Sequence, residues 1–254
     1  MSEELMVSVD DGVMVLTMNR PEAKNAMNRN MAELISGALD TLDADASVGV
    51  AVLTGTAGTF CSGMDLKGFL KGEMPVAGDR GFGGIAQYRP QKPVIAAIEG
   101  YALAGGFELV LACDLAVASK AAQFGIPEVK RGLVAGAGGL LRLPDQIAPR
   151  LAMELALTGD FISADRAYEM GLINAVVPEG QALDGAKKLA ARIVANGPLA
   201  VATSKRVMYE SRGWPHDELW TRQQDLANAV FNSEDAREGA TAFAEKRAPV
   251  WKGK

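Results

Sequence analysis

Two glutamates and two glycine-rich loops carry the clearest chemical signal in this chain. Glu108 stands in Gly105-Gly106-Phe107-Glu108-Leu109, within the first turn of a helix predicted over 107–112. The positive end of a helix favours a carboxylate there by about 0.3–1 kcal/mol, which alone accounts for an acid at that position. Its neighbours Phe107, Leu109, Val110 and Leu111 are apolar, however, and burying a carboxylate among such residues is costly without a partner or a task. Glu128 follows Phe124-Gly125-Ile126-Pro127, a rigid turn, with Lys130 and Arg131 just beyond it as candidate ion-pair partners. The chain holds a single histidine, His216, in the turn-like Gly213-Trp214-Pro215-His216-Asp217. Proton transfer therefore falls to carboxylates, tyrosines or lysines.

The first loop is Thr59-Phe60-Cys61-Ser62-Gly63-Met64-Asp65-Leu66-Lys67, and the second is Gly100-Tyr101-Ala102-Leu103-Ala104-Gly105-Gly106. Each follows a run that reads as a buried strand, and glycine there lets the backbone approach a ligand closely. The second loop leads into a helix and leaves unpaired amides at its positive end. Two such loops from neighbouring strands can place two N–H groups on one carbonyl oxygen, the arrangement of an oxyanion hole. Read alone, the same glycines fit tight turns equally well.

The elements that must position these groups suggest a layered α/β core. Residues 5–10 and 13–18 alternate around Asp11-Gly12, a hairpin signal. A helix is predicted from about 28 to 42, with Met31, Leu34, Ile35, Ala38, Leu39 and Leu42 on one face. Apolar runs at 48–54, 94–99 and 114–118 read as doubly buried strands. Residues 66–92, with Pro75, Pro90 and six glycines among charges, predict a mobile loop or broken helix. Beyond Gly132 the pattern is helical, with candidates at 136–143, 146–157, 163–170, 180–195, 198–210, 215–231 and 233–246, and one more strand at 173–177. The chain divides at this level into a core over 1–195 and a helical region over 196–254. Met208, Trp214, Trp220, Phe231 and Phe243 of that region read as core or subunit interface.

The bulk numbers exclude several classes. With 254 residues, 48% of them hydrophobic, the chain can bury a sizeable core. A net charge of −5 argues against a broad nucleic-acid or anionic-membrane surface. Cys61 and Cys113 have no ligand-like spacing, and they read as two buried thiols of a reducing compartment. No metal site is expected. The absence of a leader pattern or a long apolar run predicts a cytoplasmic protein.

Taken together, the two loops, Phe124-Gly125-Ile126-Pro127-Glu128, Gly136-Ala137-Gly138-Gly139 and residues 164–177 resemble the enoyl-CoA hydratase/isomerase (crotonase) superfamily. The likeness runs from about residue 5 to the C-terminus. It implies a spiral of repeated ββα units, followed by a helical region that builds a homotrimer or a dimer of trimers. It implies an acyl-coenzyme A substrate, with coenzyme A arriving as part of that substrate and no separate cofactor. Met64 and Gly105 match the positions whose amides form the oxyanion hole, and Glu108 and Glu128 match the two catalytic carboxylates. Ala23, Lys24 and Ala26 match a segment lining coenzyme A, and Asp65, Leu66 and Lys67 continue the substrate-contacting loop. Phe243 and Lys246 match a tail that reaches coenzyme A across a subunit boundary. The implied reaction is reversible syn addition of water to a trans-2-enoyl-CoA, as in fatty acid metabolism. Two carboxylates facing one water repel, and at least one of them should hold its proton near neutrality.

Two alternatives remain open at this level. The tail from Ser233 through Glu238 to Gly253, and Gly105–Leu109, also resemble carnitinyl-CoA dehydratases, which hydrate crotonobetainyl-CoA with the same machinery. A non-catalytic acyl-CoA-binding homologue is the other, and the intact carboxylate pair disfavours it.

Overall fold

A computed structural model describes residues 3–254. The hairpin β1 (Leu5–Asp10) and β2 (Val13–Met18) turns at Asp11 and Gly12, both with positive φ. Helix α1 (Arg29–Ala44) begins at Asn28, whose side chain caps the Met31 amide at 2.8 Å. Then follow β3 (Val50–Gly55), the short α2 (Leu66–Phe69), β4 (Val94–Ile98), β5 (Tyr101–Leu103) and α3 (Gly105–Ala112). After β6 (Leu115–Ser119) and β7 (Gln123–Gly125) come α4 (Gly139–Gln146), α5 (Pro149–Thr158), β8 (Ile162–Ser163), α6 (Ala164–Glu169) and β9 (Ala175–Val177). The chain ends with α7 (Ala182–Val194), α8 (Pro198–Glu210), α9 (Leu219–Phe231) and α10 (Glu234–Glu245).

Six strands form the main sheet in the order β1-β2-β3-β4-β6-β9, parallel from β2 onward. Alternate side chains of its strands take opposite faces, as the pleat requires. Val13, Val15, Val50, Val52, Ile95 and Val117 pack under Ala182, Ala186 and Ala190 of α7. Met14, Leu16, Ala51, Leu53, Ala96 and Ile98 join α1 and α3 in the larger core. A second sheet, β5-β7-β8, lies beside the first and is extended by the parallel bridge of Cys61 with Ala102. The chain thus passes from main sheet to small sheet to helix, as in β4-β5-α3, and repeats the step. This is the crotonase-type ββα spiral.

Three strands of the small sheet, β5, β7 and β8, escape sequence reading because two or three residues cannot display a period. Residues 66–92 are a second difference. They form α2, a 3-10 turn at Gly78–Arg80 and successive tight turns, and they are strapped to the helices around them. Arg80 donates to the Ser36 carbonyl and pairs with Asp40, Tyr88 donates to Asp43 at 2.9 Å, and Arg142 of α4 donates to the Ala86 carbonyl. Those partners lie far off in sequence, so local composition leaves a mobile loop and a broken helix equally open, and the structure shows the broken, fitted form.

Candidate active site

The first loop is fixed by groups on the segment after β2. Asn25 is fully buried; its amide donates to the carbonyls of Thr56 and Thr59 at 3.0 and 2.7 Å. The Met27 amide donates to the Gly63 carbonyl, and the Asp65 amide donates back to Met27. Both peptides flanking Met64 are thereby held. The second loop is fixed by strand-like bonds, Cys61 to Tyr101 at 2.9 Å and Leu103 to Cys61 at 3.1 Å. Gly106 sits so close to this rung that a Cβ on it would lie 2.1 Å from the Cys61 carbonyl oxygen.

The loops meet at Gly63 and Gly105. A Cβ on Gly63 would lie 3.0 Å from the Ala104 Cβ and 3.1 Å from the Leu103 carbonyl oxygen, and its φ is 108°, so glycine permits the approach. Ala104 adopts φ 50°, ψ −128°, a region that costs a residue with a Cβ roughly 1–3 kcal/mol. Its own amide is tied to the Gly125 carbonyl at 2.8 Å, and its carbonyl accepts from Phe107 and Glu108. The Met64 and Gly105 amides, by contrast, donate to no protein acceptor among the described residues. Two free N–H groups from adjoining loops are what a developing oxyanion requires.

Glu108 is 3% exposed. Its Oε1 accepts from the Ala137 and Gly139 amides at 2.8 and 2.9 Å. A side chain on Gly139 would collide with the carboxylate, since its Cβ would lie 3.1 Å from Oε1. Burial raises the Glu108 pKa, opposed by the two N–H bonds and the charge of Arg142. Glu128 stands in a 3-10 turn (Pro127–Arg131), half-buried, with a buried Oε2 that meets no donor. Burial pushes its carboxyl up to about 7, and the neighbouring charge of Glu108 adds to the rise. Lys130, a candidate partner on sequence grounds, pairs with Asp160 at 2.6 Å. The two glutamates are coupled by charge but differ in support: two loop amides hold Glu108, whereas the Glu128 Oε2 meets no donor.

The remaining predicted residues separate into two groups. Ala23, Lys24 and Ala26 abut the first loop: the Ser62 amide donates to the Lys24 carbonyl at 3.1 Å, and the Ser62 hydroxyl to Ala23 at 3.3 Å. Lys24 lies over the Tyr101 ring, 5.5 Å from its centroid. Leu66 and Lys67 are exposed on α2, and neither Lys24 nor Lys67 forms an ion pair among the described residues. The Asp65 carboxylate is occupied, capping α2 at the Lys67 and Gly68 amides and pairing with Arg20 at 2.9 Å. Phe243 is 87% exposed on α10, and Lys246 caps that helix. Among the described residues, no hydrogen bond or ion pair joins these two to residues 23–26 or 64–67.

Sequence reading passed over Arg20, Asn25 and Arg142, and over the amides of Ala137 and Gly139 as carboxylate donors. The glycines at 136, 138 and 139 were the available signal for the last two. The cysteines are spectators: burial pushes the Cys61 thiol up to about 12 and raises that of Cys113 as well. No helix among the described residues is long and apolar enough to cross a membrane.

The α/β spiral of paired sheets and helices defines a crotonase-fold protein. The chain belongs to the enoyl-CoA hydratase/isomerase family, whose model matches residues 8–254. It is 44% identical over 243 residues to the enoyl-CoA hydratase EchA19 of Mycobacterium tuberculosis, covering 93% of this chain and 91% of that one. It is 40% identical over 262 residues to the carnitinyl-CoA dehydratase of Salmonella typhi, all of both chains being covered. The crystal structure of an enoyl-CoA hydratase from M. tuberculosis H37Rv superposes with a TM-score of 0.98 at 54% identity over the whole of both chains.

Proposed function

We propose that this protein is an enoyl-CoA hydratase, a hydro-lyase that adds water reversibly and syn across a trans-2-enoyl-CoA to give the 3-hydroxyacyl-CoA. The observation that carries this reading is the unequal carboxylate pair beside two unpaired amides. Addition to the β-carbon drives negative charge onto the thioester oxygen, and the Met64 and Gly105 amides stabilise it there. Removing one such donor typically costs about 10²–10³ in rate. The bonds from Ala137 and Gly139, with Arg142 behind them, favour the ionised form of Glu108 and suit it to take a proton from water. Glu128, raised to about 7, suits the delivery of a proton to the α-carbon. One C–O bond and one C–H bond form, the π bond is lost, and the proton taken by Glu108 balances the one given by Glu128. In dehydration the duties reverse.

Ala23, Ala26 and Leu66 would line the coenzyme A, and Lys24 and Lys67, free of acids, would meet its phosphates. Coenzyme A is then part of the substrate, with no further cofactor or metal. Phe243 and Lys246 would reach the site from a neighbouring copy in a homotrimer or dimer of trimers, with the spiral over 1–195 and the helical region over 196–254 building the assembly. Cytoplasmic placement and a role in fatty acid metabolism accompany this reading.

Turnover of crotonyl-CoA tests it. Glu108→Gln and Glu128→Gln should each lower kcat by about 10²–10³, with folding intact by circular dichroism. Near-full activity in either variant defeats the two-carboxylate assignment. The full-length identity to a carnitinyl-CoA dehydratase supports a second reading, hydration of crotonobetainyl-CoA. A markedly higher kcat/KM for that substrate than for crotonyl-CoA would select it. Tight binding of both without turnover of either would favour a non-catalytic acyl-CoA-binding protein.

A further inference from the structure

A cavity of about 740 Å³ opens between α8 and residues 87–91, behind the turn that holds Glu108. Four cationic residues line it, Arg89, Arg142, Lys205 and Arg206, and its one lining acid is Glu210. In a chain of net charge −5 that ratio is inverted. Two of the four charges are cancelled: Lys205 pairs with Asp114 at 2.7 Å and Arg206 with Glu210 at 2.8 Å. The other two are held by neutral groups only. Arg89 stacks on the Tyr209 ring, its guanidinium carbon 3.3 Å from the centroid. Arg142 donates to the carbonyls of Ala86 and Ala137, and neither arginine pairs with an acid among the described residues. Burial lowers the Arg142 pKa and the nearby charge of Arg89 lowers it further, while the charge of Glu108 acts in the opposite sense. Two guanidiniums facing one cavity repel unless an anion lies between them.

We propose that this cavity is a binding site for a small dianion, a phosphoryl group or a compact dicarboxylate, gripped between the guanidiniums of Arg89 and Arg142. Two guanidiniums without a salt-bridge partner among the described residues set the charge of the ligand. Planar donor forks suit oxygen pairs of phosphate or carboxylate. The site is separate from the lysines assigned to coenzyme A, and it lies one peptide from the catalytic centre, since Arg142 contacts the carbonyl of the residue whose amide binds Glu108.

Calorimetric titration of the intact protein with inorganic phosphate, and separately with malonate, tests the site at ionic strength matched with sodium chloride. Saturable binding is expected, weakened at least tenfold in Arg89→Gln and retained in the Lys24→Gln/Lys67→Gln double variant. The stronger of the two titrants tells a phosphoryl ligand from a dicarboxylate. Arg89→Glu supplies a second readout: its new carboxylate should pair with Arg142, raise the Tm in chloride and abolish the phosphate response. No saturable binding of either anion, or equal binding by wild type and Arg89→Gln, overturns the proposal. Loss in the lysine variant alone also overturns it, by placing the anion at the coenzyme A lysines. None of these readings depends on hydratase turnover.

Discussion

The spiral and the last three helices use their apolar residues in opposite ways. Strands β2, β3 and β4 bury nearly every side chain on both faces of the main sheet. Helices α8 and α9 contain no buried residue at all, and Met208, Trp220, Phe231 and Phe243 stand 73%, 80%, 69% and 87% exposed. In the spiral, burial also perturbs the chemistry: it shapes the loops around Gly63 and Gly106 and lifts both glutamates. The terminal helices are tied to the spiral by polar groups, Lys205 to Asp114 and the Lys92 carbonyl, and they fix their own tail. Asp235 accepts from the Lys252 and Gly253 amides, and the Trp251 indole donates to Ala195. One region buries its apolar side chains within the chain, whereas the other leaves them on its surface.

Gly106→Ala breaks this comparison most severely if the spiral is as tight as described. The new methyl would meet a backbone carbonyl oxygen at 2.1 Å, and backbone cannot swing aside as a side-chain end can. Overpacking of this kind costs about 1–3 kcal/mol, more where the rung must separate. Urea denaturation should show the loss, and crotonyl-CoA turnover should fall with it, because the same shift moves the Gly105 amide. Gly213→Ala in the terminal region is the control: a Cβ there meets nothing within 4 Å, and stability should be unchanged. Equal effects of the two would mean that the spiral is no more constrained than the helices.

Glu128→Gln sharpens the same contrast through pH. The folded carboxyl, at about 7, lies above the ordinary glutamate value of 4.5, so the native state binds the extra proton between those values. Unfolding stability therefore falls as pH rises from about 4.5 to about 7. At pH 8 the neutral amide should be the more stable, by about 1 kcal/mol after allowance for a partly wet side chain. Below pH 4 the two proteins should converge. Melting curves across that range check it, and a gap independent of pH would show that burial does not act on the charge of Glu128. In the wild type, kcat for hydration should decline as Glu128 loses its proton above pH 7.

How legible each region was follows from the range of the interactions that shape it. The hairpin, α1, the three central strands and every helix beyond Gly159 announce themselves by local period or caps. The glycines of the loops at 59–67 and 100–108 fitted tight turns as well as a backbone approach to a ligand, and resemblance to a family supplied the roles proposed for Met64, Gly105, Glu108 and Glu128. What sequence could not supply was partnership across distance. Nothing local says that Glu108 is held from Ala137 and Gly139, that Arg20 pairs with Asp65, or that Ala104 is turned to φ 50°. Residues 66–92 read only as a mobile loop or broken helix for the same reason, since Arg80, Tyr88 and Ala86 find their partners on α1 and α4.

The smallest effect on the chain itself should come from its largest exposed side chains. Trp220→Ser and Phe231→Ser remove apolar surface that touches solvent, and surface changes of that kind stay within about 0.5 kcal/mol. Helix content by circular dichroism should therefore be unchanged in the double variant. Its mass by sedimentation velocity should fall, because exposed apolar area of this extent is what an interface between copies buries. If Phe243 and Lys246 serve a neighbouring site, KM for the acyl-CoA should rise as the assembly dissociates, while the environments of Glu108 and Glu128, built wholly within one spiral, should persist. A double variant that lost helix content at unchanged mass would reverse the contrast, by showing that these residues support their own chain and not a partner.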